Sequence, residues 1–139
     1  MGLPAGGPGA AGGVAPRAAT AAGSRIYLAG LSNGGLGVCL GAGRRPEAWR
    51  GLILISPVID ERALFTDGFR AACGGKPVLI LHGADDDRVP VRCIRDAAEA
   101  MRLRGMRVEC DVLEGRTHFL FFSDREAVEE RIGPWLERN

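Results

Sequence analysis

Two stretches of the chain are apolar without a break, Gly51–Ile55 (GLILI) and residues 77–81 (PVLIL). Runs this short and this apolar predict strands buried on both faces. Residues 25–29 (RIYLA) form a third short, β-prone run. It leads into a glycine-rich turn and a helix of small residues reaching to about Ala42. Residues 60–73 read as a loop and a short helix. Over residues 93–104, Ile94, Ala97, Ala98 and Met101 share one helical face while arginines take the others, and Gly105 stops the helix. Residues 106–113 switch to a period of two, with Val108, Cys110 and Val112 alternating against Arg107, Glu109 and Asp111, as in a half-exposed edge strand. Asp124 is placed to N-cap a last helix whose stripe is Ala127, Val128, Ile132, Trp135 and Leu136. The resulting β-α-β-α-β-α-β-α order predicts an α/β fold. Right-handed crossovers make its sheet parallel, a three-layer arrangement with helices on both faces.

Composition narrows the class. The first 23 residues are Ala, Gly and Pro with almost nothing large to bury, so they are expected to be disordered, and residues 24–139 carry the folded domain. A formal net charge of +1 gives no electrostatic footprint for nucleic acid. No segment is apolar for long enough to span a bilayer, and residues 1–23 lack the basic start and apolar run of an export signal. A cytoplasmic protein is the expectation. The four cysteines have no CxxC spacing and read as small, partly buried apolar residues rather than ligands or bridges.

The chemistry starts at the first turn. Gly30–Leu31–Ser32–Asn33–Gly34 is G-x-S-x-G directly after a strand and before a helix. A serine there sits on a strained turn that thrusts its Oγ above the sheet, and the glycines keep neighbouring side chains out of its way. The Asn33 N–H, at the positive end of the helix, is aimed where an oxyanion would form. A dinucleotide site also uses a glycine-rich strand–helix turn. Here the glycines at 30, 34, 35, 37 and 41 do not make G-x-G-x-x-G, and no acidic residue closes the next strand. The remaining alternative is a tight packing turn with an incidental serine.

An acid and a base follow in order. His82–Gly83–Ala84–Asp85–Asp86–Asp87–Arg88–Val89–Pro90 comes after the PVLIL strand, and His118 comes after the last strand. A carboxylate in the first loop can orient a histidine in the second. Three aspartates compete for that role, with a solvated, helix-capping turn as the plain alternative. A metal site would need more ligands than two histidines and these aspartates supply, so no metal or other cofactor is expected. His82, at a strand end before a glycine, reads as structural. Nucleophile, acid and base each fall just past a strand's carboxyl end, where open α/β sheets place their active residues.

GLSNGG resembles the nucleophile elbow of the α/β-hydrolases, HGADDDRVP is similar to their H-G-x-x-D-x-x-V-P acid loop, and EGRTHFLFF to their closing histidine loop. The likeness runs from about residue 25 to the end and is nearest to small esterases, dienelactone-hydrolase-like and acyl-peptidase-like hydrolases. It implies a serine hydrolase in which Ser32 is nucleophile, His118 general base and Asp86, among the three aspartates, the orienting acid. The substrate would be a small molecule with a carboxylic ester, thioester or peptide bond, cleaved through an acyl-enzyme. Leu31, Val58, Ile59, Val89 and Phe119 remain as candidates to line an apolar pocket, with no room for a large cap between the motifs. The family's sheet has eight strands and draws a second oxyanion N–H from a loop after an early strand. Four strands and one donor are legible here, so the chain is expected to be the C-terminal part of that fold, with impaired activity alone. Its first strand, residues 26–29, would be an open apolar edge covered by a missing N-terminal half or by a second copy. The alternative is a non-catalytic interaction module, or pseudoenzyme, that uses this edge to bind a partner.

Overall fold

The structure, a computed structural model, describes residues 25–64, 66–72 and 74–139. The disorder expected of residues 1–23 lies outside them, as do Phe65 and Cys73. Four parallel strands, β1 (Tyr27–Leu31), β2 (Gly51–Ile55), β3 (Pro77–Gly83) and β4 (Arg107–Leu113), lie side by side in chain order. The helices are α1 (Gly34–Arg44), α2 (Glu61–Leu64), α3 (Asp67–Ala72), α4 (Val91–Arg102), α5 (Leu120–Ser123) and α6 (Arg125–Arg138). A 3-10 turn at Pro46–Ala48 precedes β2.

The uninterrupted apolar runs are explained by the layers. Every residue of β2 and β3 is buried. Leu52, Leu54, Val78 and Ile80 point to one face, where they meet Cys39 and Ala42 of α1, Leu64, Phe69, and Ile94, Ala97, Ala98 and Met101 of α4. Ile53, Ile55, Leu79 and Leu81 point to the other, where Leu120 of α5 and Val128 and Trp135 of α6 cover them. A two-sided core of this kind removes the polar alternation that marks a half-exposed strand. Such alternation survives in β4, at one end of the sheet, where Arg107 and Glu109 are exposed and Val108 and Cys110 half-buried.

Several element ends differ from expectation. β1 begins at Tyr27 rather than residue 25 and runs to Leu31, because its register against β2 pairs Tyr27 with Gly51 and Leu31 with Ile55. β3 takes in His82 and Gly83, which pair with Val112 and Leu113 of β4. α4 starts directly after Pro90 and ends at Arg102, with Gly105 at φ 86° closing the turn that follows. The single short helix expected before β3 is two, since the Thr66 hydroxyl accepts the Phe69 N–H at 3.0 Å and starts α3 anew. Asp124 caps α6 through the Ala127 N–H at 3.1 Å. Within the stripe of α6, Val128 and Trp135 are buried and Ala127, Ile132 and Leu136 half-buried. Cys39 is buried, Cys110 half-buried and Cys93 exposed, so Cys93 is not the partly buried residue expected; all three are free thiols.

Candidate active site

Ser32 directly follows β1, and its N–H carries the strand ladder one step further, to the Ile55 carbonyl at 3.0 Å. The chain then reverses into α1, and Ser32 stands at φ 55°. A left-handed serine is strained backbone that persists where its surroundings over-determine it. Here the Ser32 carbonyl accepts two N–H groups, from Gly35 and from Val58, each at 2.9 Å. A Cβ on Gly30 would stand 2.4 Å from the Gly34 carbonyl oxygen, and one on Gly35 would stand 2.7 Å from the Pro57 ring. Gly34 has open space around it. The turn therefore demands glycine at 30 and 35, while at 34 it is the backbone that matters. Asn33 stands at the N-cap of α1 in helical conformation (φ −59°, ψ −22°), so its N–H belongs to the helix opening beside Ser32.

The second loop, residues 84–90, folds around one carboxylate. Asp86 Oδ1 accepts the N–H groups of Arg88 and Val89, both at 2.8 Å. Asp86 is buried while Asp85 and Asp87 are exposed, so the three competing aspartates are separated by environment. The capping alternative does not hold for Asp86 or Asp87, since α4 has Pro90 at its N-cap and no side-chain cap. Burial pushes the Asp86 carboxyl up, but the Val89 N–H, the His118 ring and the Arg88 N–H together outweigh it, leaving it below its ordinary value.

The third loop brings in the histidine. Gly83, at the end of β3, lies against it so closely that a Cβ there would stand 2.3 Å from the Arg116 carbonyl oxygen. Asp85 N–H donates to that same carbonyl at 2.8 Å and Ala84 N–H to the Leu113 carbonyl at 2.9 Å. The acid loop and the histidine loop are thus laced together by backbone. His118 Nδ1–H donates to Asp86 Oδ2 at 2.8 Å. A carboxylate accepts only, which leaves Nε2 as the bare nitrogen, and Ser32 Oγ–H donates to it at 2.8 Å. Ser32, His118 and Asp86 form one hydrogen-bonded line across the carboxyl ends of β1, β3 and β4.

The remaining sequence candidates sit around this line in different ways. Val58 is half-buried, with its N–H on the Ser32 carbonyl. Phe119 is 48% exposed; its ring meets the His118 ring edge-on at 5.9 Å, and the Arg88 guanidinium lies 4.8 Å from its centre. Leu31 packs against the α6-side core, Val89 and Ile59 against the α4-side core, and all three stay half-buried. Two cavities of about 410 Å³ lie elsewhere. One is between α4 and β4, lined by Arg95, Ala98, Glu99, Arg102, Cys110 and Val112, and the other is at Arg70, Leu103 and Arg104.

Two further buried polar residues lie at the carboxyl ends of β3 and β2. His82 is fully buried and its Nε2 lies 2.8 Å from the Val89 carbonyl and 3.4 Å from Asp86 Oδ2. Ser56, just past β2 at φ 46°, is also fully buried, and its Oγ has no hydrogen-bond partner among the described residues. The His-Gly pair at 82–83 is the only sequence signal for the first; nothing in the sequence marks the second.

No protein-family model matches the chain, and no curated protein matches it. Solved structures do. A CIB-like hydrolase from Thermoplasma acidophilum is 20% identical, with a TM-score of 0.64 over 83% of this chain and 52% of its own. Est1E from Butyrivibrio proteoclasticus is 22% identical, with a TM-score of 0.63 over 82% and 61%. A thermophilic esterase from Thermogutta terrifontis, Est2, is 23% identical, with a TM-score of 0.58 over 81% and 53%. The chain thus spans little more than half the length of the solved structures it matches. At these identities the likeness is one of fold. Among the described residues, no helix is long and apolar enough to cross a membrane.

Proposed function

We propose that this chain, which has the α/β-hydrolase fold of these esterases, is the catalytic part of a serine hydrolase acting on small ester-type substrates. The observation that carries the reading is the unbroken line Ser32 Oγ–His118 Nε2 and His118 Nδ1–Asp86 Oδ2, with both steps at 2.8 Å. Ser32 Oγ attacks the ester carbonyl as His118 Nε2 takes its proton, and His118⁺ then protonates the departing alcohol. Asp86 keeps the proton on Nδ1 and stabilises the imidazolium. A water deprotonated by His118 next attacks the acyl-enzyme, releasing the acid and restoring Ser32. The Asn33 N–H is the assigned oxyanion donor, and Val58 and Phe119 flank the acyl or alcohol group. A thioester or peptide bond would pass through the same steps.

The partner in this reading is a complementary segment that pairs along β1, which among the described residues is an edge of the sheet and is half-buried or exposed. It would bring the second oxyanion donor. Without that donor, turnover falls by about 10²–10³-fold. The neighbouring esterases are about twice as long as the matched region, which favours a missing half over a second copy as the source. The same open edge is what an interaction module without catalysis would use.

Hydrolysis of p-nitrophenyl butyrate by the full chain tests the reading. Slow release of nitrophenol that disappears in Ser32→Ala supports it. Equal release by Ser32→Ala refutes Ser32 as nucleophile, and wild-type kcat near the enzyme median of about 10 s⁻¹ refutes the need for a complement.

A further inference from the structure

We propose that His82 is a positioning residue for Asp86, its Nε2–H tethering the acid loop through the Val89 carbonyl while lying beside the carboxylate, so that Oδ2 is held toward His118. The inference rests on the hydrolase reading for its consequence, but not for its geometry. Nε2 faces the Val89 carbonyl oxygen at 2.8 Å, and an oxygen that can only accept fixes the proton on that nitrogen. The same nitrogen stands 3.4 Å from Asp86 Oδ2, close enough for the polar N–H to favour the carboxylate's charge. Both side chains are 0% exposed, so neither contact is screened by solvent.

Asp86 is then held from both ends. Oδ1 takes the N–H groups of Arg88 and Val89, and Oδ2 takes His118 Nδ1–H, with His82 Nε2 standing 3.4 Å away. The acid loop is exposed at Asp85, Asp87 and Arg88 and carries no helical or strand hydrogen bonds of its own. The His82 ring, by contrast, belongs to β3, whose ladder pairs it with Val112. A side chain anchored in the sheet therefore grips the loop at Val89, the residue whose own N–H holds Asp86 Oδ1. His82 Nδ1 is buried with no partner among the described residues. An aliphatic side chain would fill this volume without stranding a polar atom, so what offsets the stranded Nδ1 is the work of Nε2.

The chain has two histidines, so a single variant assigns every ring resonance. The experiment compares wild type, His82→Gln, whose amide N–H can reach the Nε2 position, and His82→Phe, which keeps the ring volume without a donor. Two readouts are taken on each full-length chain: the ring ¹⁵N–¹H spectrum, and the rate at which a fluorophosphonate modifies Ser32. In wild type, His82 carries its proton on Nε2 and His118 gives a low-field Nδ1 proton. Loss of one positioning hydrogen bond predicts that His82→Phe slows labelling about tenfold and abolishes the low-field proton, while His82→Gln stays within about threefold. A packing role predicts the reverse order, with Phe tolerated and Gln harmful, and that order would overturn the proposal. So would a wild-type spectrum with the His82 proton on Nδ1, a result that needs no variant to fold. If wild-type Ser32 does not label at all, the hydrolase reading is what fails, and the His118 resonance in the variants still decides the role of His82.

Discussion

Gly83→Ala should damage both the fold and the site, though Gly83 is no part of the hydrogen-bonded line. The new Cβ would lie 2.3 Å from the Arg116 carbonyl oxygen and 2.6 Å from both its carbon and the Thr117 oxygen. Ordinary contact needs roughly 3.5 Å, so the histidine loop must retreat by about 1 Å, and all three obstructing atoms are backbone. Overpacking of this kind costs about 1–3 kcal/mol. The retreat also stretches the Asp85 N–H to Arg116 carbonyl bond, which adds about 1 kcal/mol. Against a typical total of about 5–15 kcal/mol, that is a large fraction of the fold's stability. His118 is two residues from Arg116, and a misplacement of about 1 Å in a reacting group costs on the order of 10² in rate. Urea unfolding measures the first effect and fluorophosphonate labelling of Ser32 the second. Gly41→Ala is the control. It sits in α1 with open space around its added Cβ and should gain about 0.5–1 kcal/mol through helix propensity. A Gly83→Ala protein within 0.5 kcal/mol (about the scatter of a neutral surface change) and labelling at the wild-type rate would refute the reasoning. It would mean the two loops are not held against each other as described.

Two further outcomes follow from the same structure. Burial pushes the Cys39 thiol up to about 12, while Cys93 is exposed. Native protein exposed to a disulfide reagent at neutral pH should therefore be modified at Cys93, with Cys39 reacting only after unfolding; a peptide map checks this. Asp86 is held below its ordinary value, so it stabilises the fold fully above the unfolded carboxyl value of about 3.9. That contribution is lost as pH falls through the lower, folded value. The stability gap between wild type and Asp86→Asn should accordingly be wide at pH 7 and narrow at pH 3 in urea titrations, and an unchanged gap would contradict the assignment.

The strands were legible in the sequence to the extent that burial was uniform. GLILI and PVLIL have both faces covered, which leaves no ambiguity of period, and the alternation of β4 marks it as an edge. Strand ends were less legible because they are set by partners. Leu31 joins β1 through its register with Ile55, and His82 and Gly83 join β3 through Val112 and Leu113. Ser32 and His118 could be named because each falls just past a strand's carboxyl end, whereas Asp86 stood out from its two neighbouring aspartates only through the likeness of HGADDDRVP to the acid-loop motif. His82 could not be read beyond a structural role at a strand end. Its contact with Val89 and Asp86 depends on how the acid loop folds back over β3, and no periodicity encodes that. The positive φ of Ser56 is likewise invisible, since a Ser-Pro pair after a strand reads as an ordinary turn.

The most direct test of the central claim is where a fluorophosphonate attaches. Folded full-length protein is treated with the reagent, weighed intact, then digested and mapped. The hydrogen-bonded line predicts a single adduct on Ser32, absent in Ser32→Ala and strongly reduced in His118→Ala. A folded protein that takes no adduct, or takes it on another residue, would contradict the assignment of Ser32 as the activated nucleophile.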